Sequence, residues 1–213
     1  MLNNKNITIW FKYMLFVLFI ITWIWSSVST FSRHAWILEN ILVIIILAVL
    51  ILTYKKFKFS DASYIMITIF FILHEFGAHY TYSLVPYDEW LNYNFGFTIN
   101  SLMGWERNHF DRFIHLIFGI LWAYPAKEFF ARKLSLNNNW SWFFALESVM
   151  SFSLLYELIE WLVAVVFGGE LGMQYLGTQG DIWDAHKDML LATLGAIIPI
   201  VIAIIIKKLK IKK

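Results

Sequence analysis

Cysteine is absent from the 213 residues of this chain. That excludes a disulfide framework, a thiolate metal site and a cysteine nucleophile. Proline is scarce, with three residues in all, so long helices meet few breaks. Charge is thin as well: Asp, Glu, Lys and Arg make up 15% of the chain, about half the density of a soluble surface. Against these deficits, hydrophobic residues reach 60% and aromatics 19%, and the mean hydropathy is +0.63. This is the composition of an integral membrane protein. The basic residues lie at the borders of apolar runs and not in a stripe interleaved with aromatics, so no nucleic-acid partner is expected.

Apolar runs long enough to cross roughly 30 Å of hydrocarbon recur six times. They fall near residues 8–27, 36–53, 62–82, 110–130, 142–167 and 186–206. Each is expected to be a helix, because a backbone in lipid must satisfy its own hydrogen bonds. The predicted fold is all-α: one polytopic membrane bundle of six transmembrane helices, with no room for a second domain. With the N-terminus cytoplasmic, the inner side holds Lys5, Lys12, Lys55, Lys56, Lys58, Lys127, Arg132, Lys133, Lys207, Lys208, Lys210, Lys212 and Lys213. Only Arg33, Arg107, Arg112 and Lys187 remain outside, a split of 13 to 4 among the 17 cations. This positive-inside pattern predicts an even number of spans with both termini in the cytoplasm. The Lys-rich C-terminal run is expected at the anionic inner leaflet, making membrane lipids the expected partner.

Lys5 and Lys12 ahead of an apolar run imitate a signal peptide. Trp23 and Trp25 crowd the region where cleavage would occur, and no A-x-A pattern follows, so a retained span is expected. The outer loops, about 83–109 and 168–185, carry polar, aromatic and Gly residues and are expected to form ordered caps. No internal repeat is visible, which leaves the inverted halves of many transporters without support.

The titratable residues are unevenly placed. All six histidines and twelve of the fifteen acids fall in the predicted outer half or outer loops; Asp61, Glu128 and Glu147 are the exceptions. An ionisable side chain inside a span costs several kcal/mol unless paired or facing water, so such a cluster marks a candidate site. At about 1.5 Å of rise per residue, His74 and Glu75 lie roughly 10–12 Å below the outer end of the third span. Glu157 and Glu160 lie roughly 10–15 Å below that of the fifth. Asp111 opens the fourth span with His115 one turn deeper, and Asp184 and Asp188 bracket the start of the sixth. The i,i+4 and i,i+3 spacings put Asp111 with His115, Glu75 with His79, Asp184 with Asp188, and Glu157 with Glu160 on shared faces. Same-face carboxylates and imidazoles on neighbouring helices are how bundle-core metal sites are assembled.

Plainer explanations stand beside this one. Asp181 can cap the sixth helix and Asp184 can favour its first turn. Asp111 can pair with Arg107 or Arg112, His79 can sit at the membrane surface, and Glu75 can neutralise a neighbour. Glu147 reads as a helix–helix hydrogen-bonding residue. His115, Glu157 and Glu160 resist such explanations best, because each lies within a span and away from helix ends.

Four stretches carry a family resemblance: His74-Glu75-Phe76-Gly77-Ala78-His79-Tyr80-Thr81-Tyr82 leading to Pro86; Arg107-Asn108 with Asp111-Arg112 and His115; Tyr156-Glu157 with Glu160-Trp161; and Leu176-Gly177-Thr178-Gln179-Gly180-Asp181-Ile182-Trp183-Asp184-Ala185 continuing to Lys187-Asp188-Met189. Over roughly residues 60–200 the chain resembles the YjdF-like family of bacterial inner-membrane proteins. His186 stands where that pattern has Gln, which weakens it as a ligand. The resemblance implies a polytopic inner-membrane protein and brings no catalytic mechanism with it.

The expected function is that of a metal-dependent hydrolase or transferase acting on a lipid or lipid-linked headgroup at the outer leaflet. His74, His115, Glu157, Glu160 and Asp184 are the candidate metal ligands. Oxygen and nitrogen donors without sulfur suit Zn²⁺, Mn²⁺, Fe²⁺ or Mg²⁺. Asp111, Asp181 and Asp188 are candidate catalytic bases, and Arg112 and Gln179 candidate substrate-binding residues. The alternatives are a small proton- or cation-coupled transporter using the same acids, or a non-catalytic membrane subunit.

Overall fold

The computed structural model describes residues 4–211, with side chains described from Ile9 to Leu209. The side chains of Lys5, Lys210, Lys212 and Lys213, four of the cations assigned to the inner side, lie outside the described residues. Among the described residues all regular structure is helical: α1 (Asn4–Ser27), α2 (Arg33–Thr53), α3 (Asp61–His79), α4 (Tyr87–Phe95), α5 (Ile99–Met103), α6 (Phe110–Arg132), α7 (Asn138–Phe167), α8 (Gly169–Leu176) and α9 (Asp184–Ile211). Ser32, Ser60 and Asn137 cap α2, α3 and α7 through side-chain oxygens, the residue types that best satisfy orphan amides at a helix start.

Among the described residues, five helices are long and apolar enough to cross a membrane: α1 from Ile9, α2, α3, α7, and α9 as far as Leu209. The helix over the predicted fourth span, α6, is long but too polar to meet that test. Its position explains why. It packs against α3, α7 and α9, and several of its polar residues face protein. Asp111, His115 and Glu128 are all buried. The outward faces of the other long helices are apolar, as at Ile44, Leu52, Leu155 and Val201.

Two apolar clusters hold the bundle. Phe19, Val43, Ile67 and Phe71 join α1, α2 and α3. Ala123, Trp142, Ala145, Val149, Ala192 and Ala196 join α6, α7 and α9. Trp122 packs against both clusters. Small residues let α6 and α9 approach closely, as in many membrane helix pairs. A Cβ added to Gly119 would lie 2.0 Å from the Ala192 carbonyl oxygen, and one on Gly195 2.2 Å from that of Leu116. Pro125 and Pro199 sit inside α6 and α9 without ending either helix.

The helix ends pair consistently. At one end, His79 of α3 meets Ser26 of α1, and Arg112 of α6 meets Asp184 of α9. At the other, Glu128 of α6 accepts hydrogen bonds from the Ser60 amide and hydroxyl and the Ser63 hydroxyl at the start of α3, and pairs with Arg132. The long connections carry helices of their own, α4 and α5 in the first and α8 in the second. The Tyr87 hydroxyl donates to Asn100 and accepts from the His109 amide, and Asp88 accepts from the Ile99 amide. Glu147 corrects the expectation made for it: it is exposed on α7, and no helix–helix hydrogen bond forms through it among the described residues. Its place on the 3.6-residue period turns it away from Ala145 and Val149, which face the core.

Candidate metal centre

Asp111 and His115 share a face of α6, and Asp188 meets them from the second turn of α9. One ligand atom from each of the three lies within 4.8 Å of the others. The close α6–α9 crossing at Gly119 and Gly195 brings these turns together. His115 Nε2 stands 3.7 Å from Asp111 Oδ1 and 3.4 Å from Glu157 Oε1 of α7. All four residues are buried. Glu160 lies one turn further along α7, also buried. Asp188 Oδ1 and Glu157 Oε1 are buried without a hydrogen-bond partner among the described residues. Such orphaned carboxylate oxygens are costly unless a proton or cation meets them. The donor set fits a divalent ion bound by nitrogen and oxygen.

A second layer closes the cluster from the loops. Asp184 Oδ1 accepts from Arg107 at 2.7 Å and Arg112 at 3.1 Å. Asp181 accepts from Arg112, from Lys187 at 2.5 Å and from the Trp183 amide at 3.0 Å. The Lys187 ammonium, helped by the Trp183 amide and Arg112, holds the Asp181 carboxyl well below the usual carboxylate range. That makes it a counter-ion and a weak base. Partial burial, then the charges of Arg112, Arg107 and Lys187, hold His109 below the usual imidazole range. Arg107 also donates to the Thr178 carbonyl at 2.7 Å. Gln179 clamps the Asn108 backbone with both ends of its amide, at 3.1 and 3.0 Å. Arg112 and Gln179, the candidate substrate-binding residues, are therefore both engaged in joining the two long connections.

Of the candidate ligands, the structure gathers His115, Glu157 and Glu160 around Asp111 and Asp188, with Asp184 as the acceptor for the two arginines. His74 stands apart. It is buried on α3, stacked on Phe70, and its Nδ1 lies 2.5 Å from the Tyr82 hydroxyl. Glu75 and His79 share a face, as their spacing predicts, but it turns toward α1. Glu75 accepts from the Ser26 hydroxyl, and His79 Nδ1 approaches the Ser26 carbonyl at 3.0 Å. The pairing of Asp111 with Arg107 or Arg112 is not formed, because both guanidiniums go to Asp181 and Asp184.

Glu39 was not among the candidate residues. It is buried on α2 and accepts from the Tyr156 hydroxyl of α7 at 2.8 Å. The signal was available: it is the one charged residue between Arg33 and Lys55. Glu39, Asp111 and Glu160 line a cavity of about 10 Å³ together with Thr81, Tyr82, Tyr175 and Gly177. That is about the room one water or one ion needs.

The fold and the site define a multi-pass helical membrane protein with a buried carboxylate–imidazole cluster toward one end of its bundle. The chain matches the family described as "Predicted membrane protein (DUF2238)" over residues 11–209 and belongs to that family. It is 31% identical over 179 residues to the inner membrane protein YjdF of Escherichia coli (strain K12), covering 84% of this chain and 81% of that protein. No solved structure matches it.

Proposed function

We propose that this protein is a six-span inner-membrane enzyme, with both termini cytoplasmic, that uses a divalent metal to hydrolyse or transfer a lipid or lipid-linked headgroup at the outer leaflet. The observation that carries this reading is the meeting of Asp111, His115 and Asp188 within 4.8 Å, all buried, beside the unpartnered oxygens of Asp188 and Glu157. A sixth span is supported by α6: its first turn meets the start of α9 and its last meets the start of α3, so it runs the height of its neighbours. The lysine and arginine distribution supports the orientation, and the relative's name supports the inner membrane as the location.

In this reading Asp111, His115 and Asp188 hold the metal, with Glu157 and Glu160 beside it. A bound divalent ion supplies Lewis acidity and activates water near neutral pH. Glu157 Oε1 stands 3.4 Å from His115 Nε2 with no hydrogen-bond partner among the described residues, and would be the group beside the metal to accept a proton from a water held there. Arg107, Arg112, Asp181 and Asp184 fix the α6 and α9 starts so that the three ligands keep their spacing. Transport is less well supported. Inward of Glu157, the buried Ser153 is followed by Val149, Ala145, Ala123 and Ala196, an apolar plug.

The test is headgroup release in proteoliposomes from a panel of phospholipids and lipid-linked sugars, with Mn²⁺ or Zn²⁺ or with chelator. Metal-dependent release that Asp188→Asn abolishes is expected. Cation-driven uptake of a solute with no release from any lipid would replace this reading with the transporter.

A further inference from the structure

Asp111 has two oxygens, and they face different surroundings. Oδ1 is turned toward His115 Nε2 at 3.7 Å. Oδ2 is turned toward Gly177, where a Cβ would stand 3.8 Å from it, and Gly177 lines the small cavity. Three carboxylates line that cavity, from Glu39 of α2, Asp111 of α6 and Glu160 of α7. No Lys or Arg pairs with any of them among the described residues, because Arg107 and Arg112 are held by Asp181 and Asp184. Thr81 adds an independent sign: it lines the same cavity, is 5% exposed, and its buried hydroxyl has no hydrogen-bond partner among the described residues. Gln174 lines the cavity as well; its amide oxygen can serve as a ligand and its amide nitrogen cannot, so the groups able to bind a cation around this ion-sized space all bind through oxygen.

We propose that the centre is binuclear, with Asp111 bridging the position at His115 and Asp188 to a second cation in the Glu39–Glu160–Thr81 cavity. The proposal rests on the metal reading of the first position. The two positions differ in chemistry. The first offers an imidazole and suits Zn²⁺, Mn²⁺ or Fe²⁺; the second offers hard oxygen donors and suits Mg²⁺, Ca²⁺ or Mn²⁺. Two-metal sites with ions roughly 3.5–4 Å apart clamp the attacking and leaving oxygens of an in-line displacement. That points to a phosphoester headgroup as the substrate class.

The test loads full-length protein in detergent with Mn²⁺, measures bound manganese per chain by elemental analysis, and records the electron paramagnetic resonance spectrum. Wild type is expected to hold two ions with an exchange-coupled spectrum. Glu39→Gln and Thr81→Val should each hold one ion with an uncoupled spectrum, so that one variant suffices if the other does not fold. A wild type holding a single uncoupled ion overturns the bridge and leaves the first position intact. A wild type holding none overturns the metal reading itself, and the bridge with it.

Discussion

Substituting Gly119 by Ala tests how the bundle builds its site. Gly119 sits where α6 crosses α9, and a methyl there meets the Ala192 carbonyl oxygen at 2.0 Å and the Ala196 amide nitrogen at 2.6 Å. Ordinary C–H···O contacts need about 3.3 Å, so the helices must separate by roughly 1.3 Å. Two effects oppose each other. Gly to Ala inside a helix favours the helix by about 1 kcal/mol. Overpacking costs about 1–3 kcal/mol, toward the upper end here because the obstacle is backbone that cannot rotate away. The steric effect wins, with a net loss of about 1–2 kcal/mol. At this chain length that lowers the melting temperature by roughly 2–8 °C. The same displacement moves Asp188 away from Asp111 and His115, so the added stability from Mn²⁺ or Zn²⁺ should shrink as well. Tryptophan fluorescence melts of wild type and variant in one detergent, with and without metal, read both effects. Gly104→Ala is the control: it has φ +66° and nothing within 4 Å of a new Cβ, so it costs about 1–2 kcal/mol of strain and leaves metal stabilisation unchanged. A Gly119→Ala protein as stable as wild type, with the full metal effect, would refute the reasoning.

Glu128→Ala removes the acceptor shared by Ser60, Ser63 and Arg132; a loss of about 2–4 kcal/mol is expected, and a denaturant midpoint matching wild type would contradict it. Asp181 has a depressed pKa in the folded protein, so its contribution is complete above the ordinary value of about 4 and is lost only as the pH falls through the lower folded value. Amide protection factors over residues 178–184, taken relative to the intrinsic exchange rate at each pH, should therefore be steady from neutral pH down to about 4, fall below it, and already be low at neutral pH in Asp181→Asn; equal protection in variant and wild type would count against this clasp. Tyr156→Phe removes the hydroxyl that donates to Glu39. Its manganese content should stay at the wild-type value, since Tyr156 is no ligand; metal loss on elemental analysis would show that Glu39 is positioned through Tyr156.

The helices were legible because lipid leaves a backbone few options. All six long helices lie where apolar runs predicted them, and only α6 falls short of the apolar criterion, because neighbouring helices and not lipid cover its polar residues. The site was half legible. Spacing identified the faces of α6, α7 and α9, and depth put their acids at one level. Which way each face turns was not in the spacing. His74 and Glu75 are adjacent in sequence, about 100° apart on α3, and the fold sends one toward Tyr82 and the other to Ser26. Arg112 and Gln179 looked available for substrate because their partners, Asp181, Asp184 and Asn108, lie on other connections. Glu39 escaped notice for a simpler reason: an isolated acid in an apolar run carries no pattern until Tyr156 is seen beside it.

The most direct test of the central claim is X-ray absorption at the zinc K-edge on protein loaded with one equivalent of Zn²⁺. A shell of oxygen neighbours containing a single imidazole, which disappears in His115→Gln, is the predicted result. A wild-type shell without imidazole, or a spectrum indifferent to His115→Gln, would contradict the account.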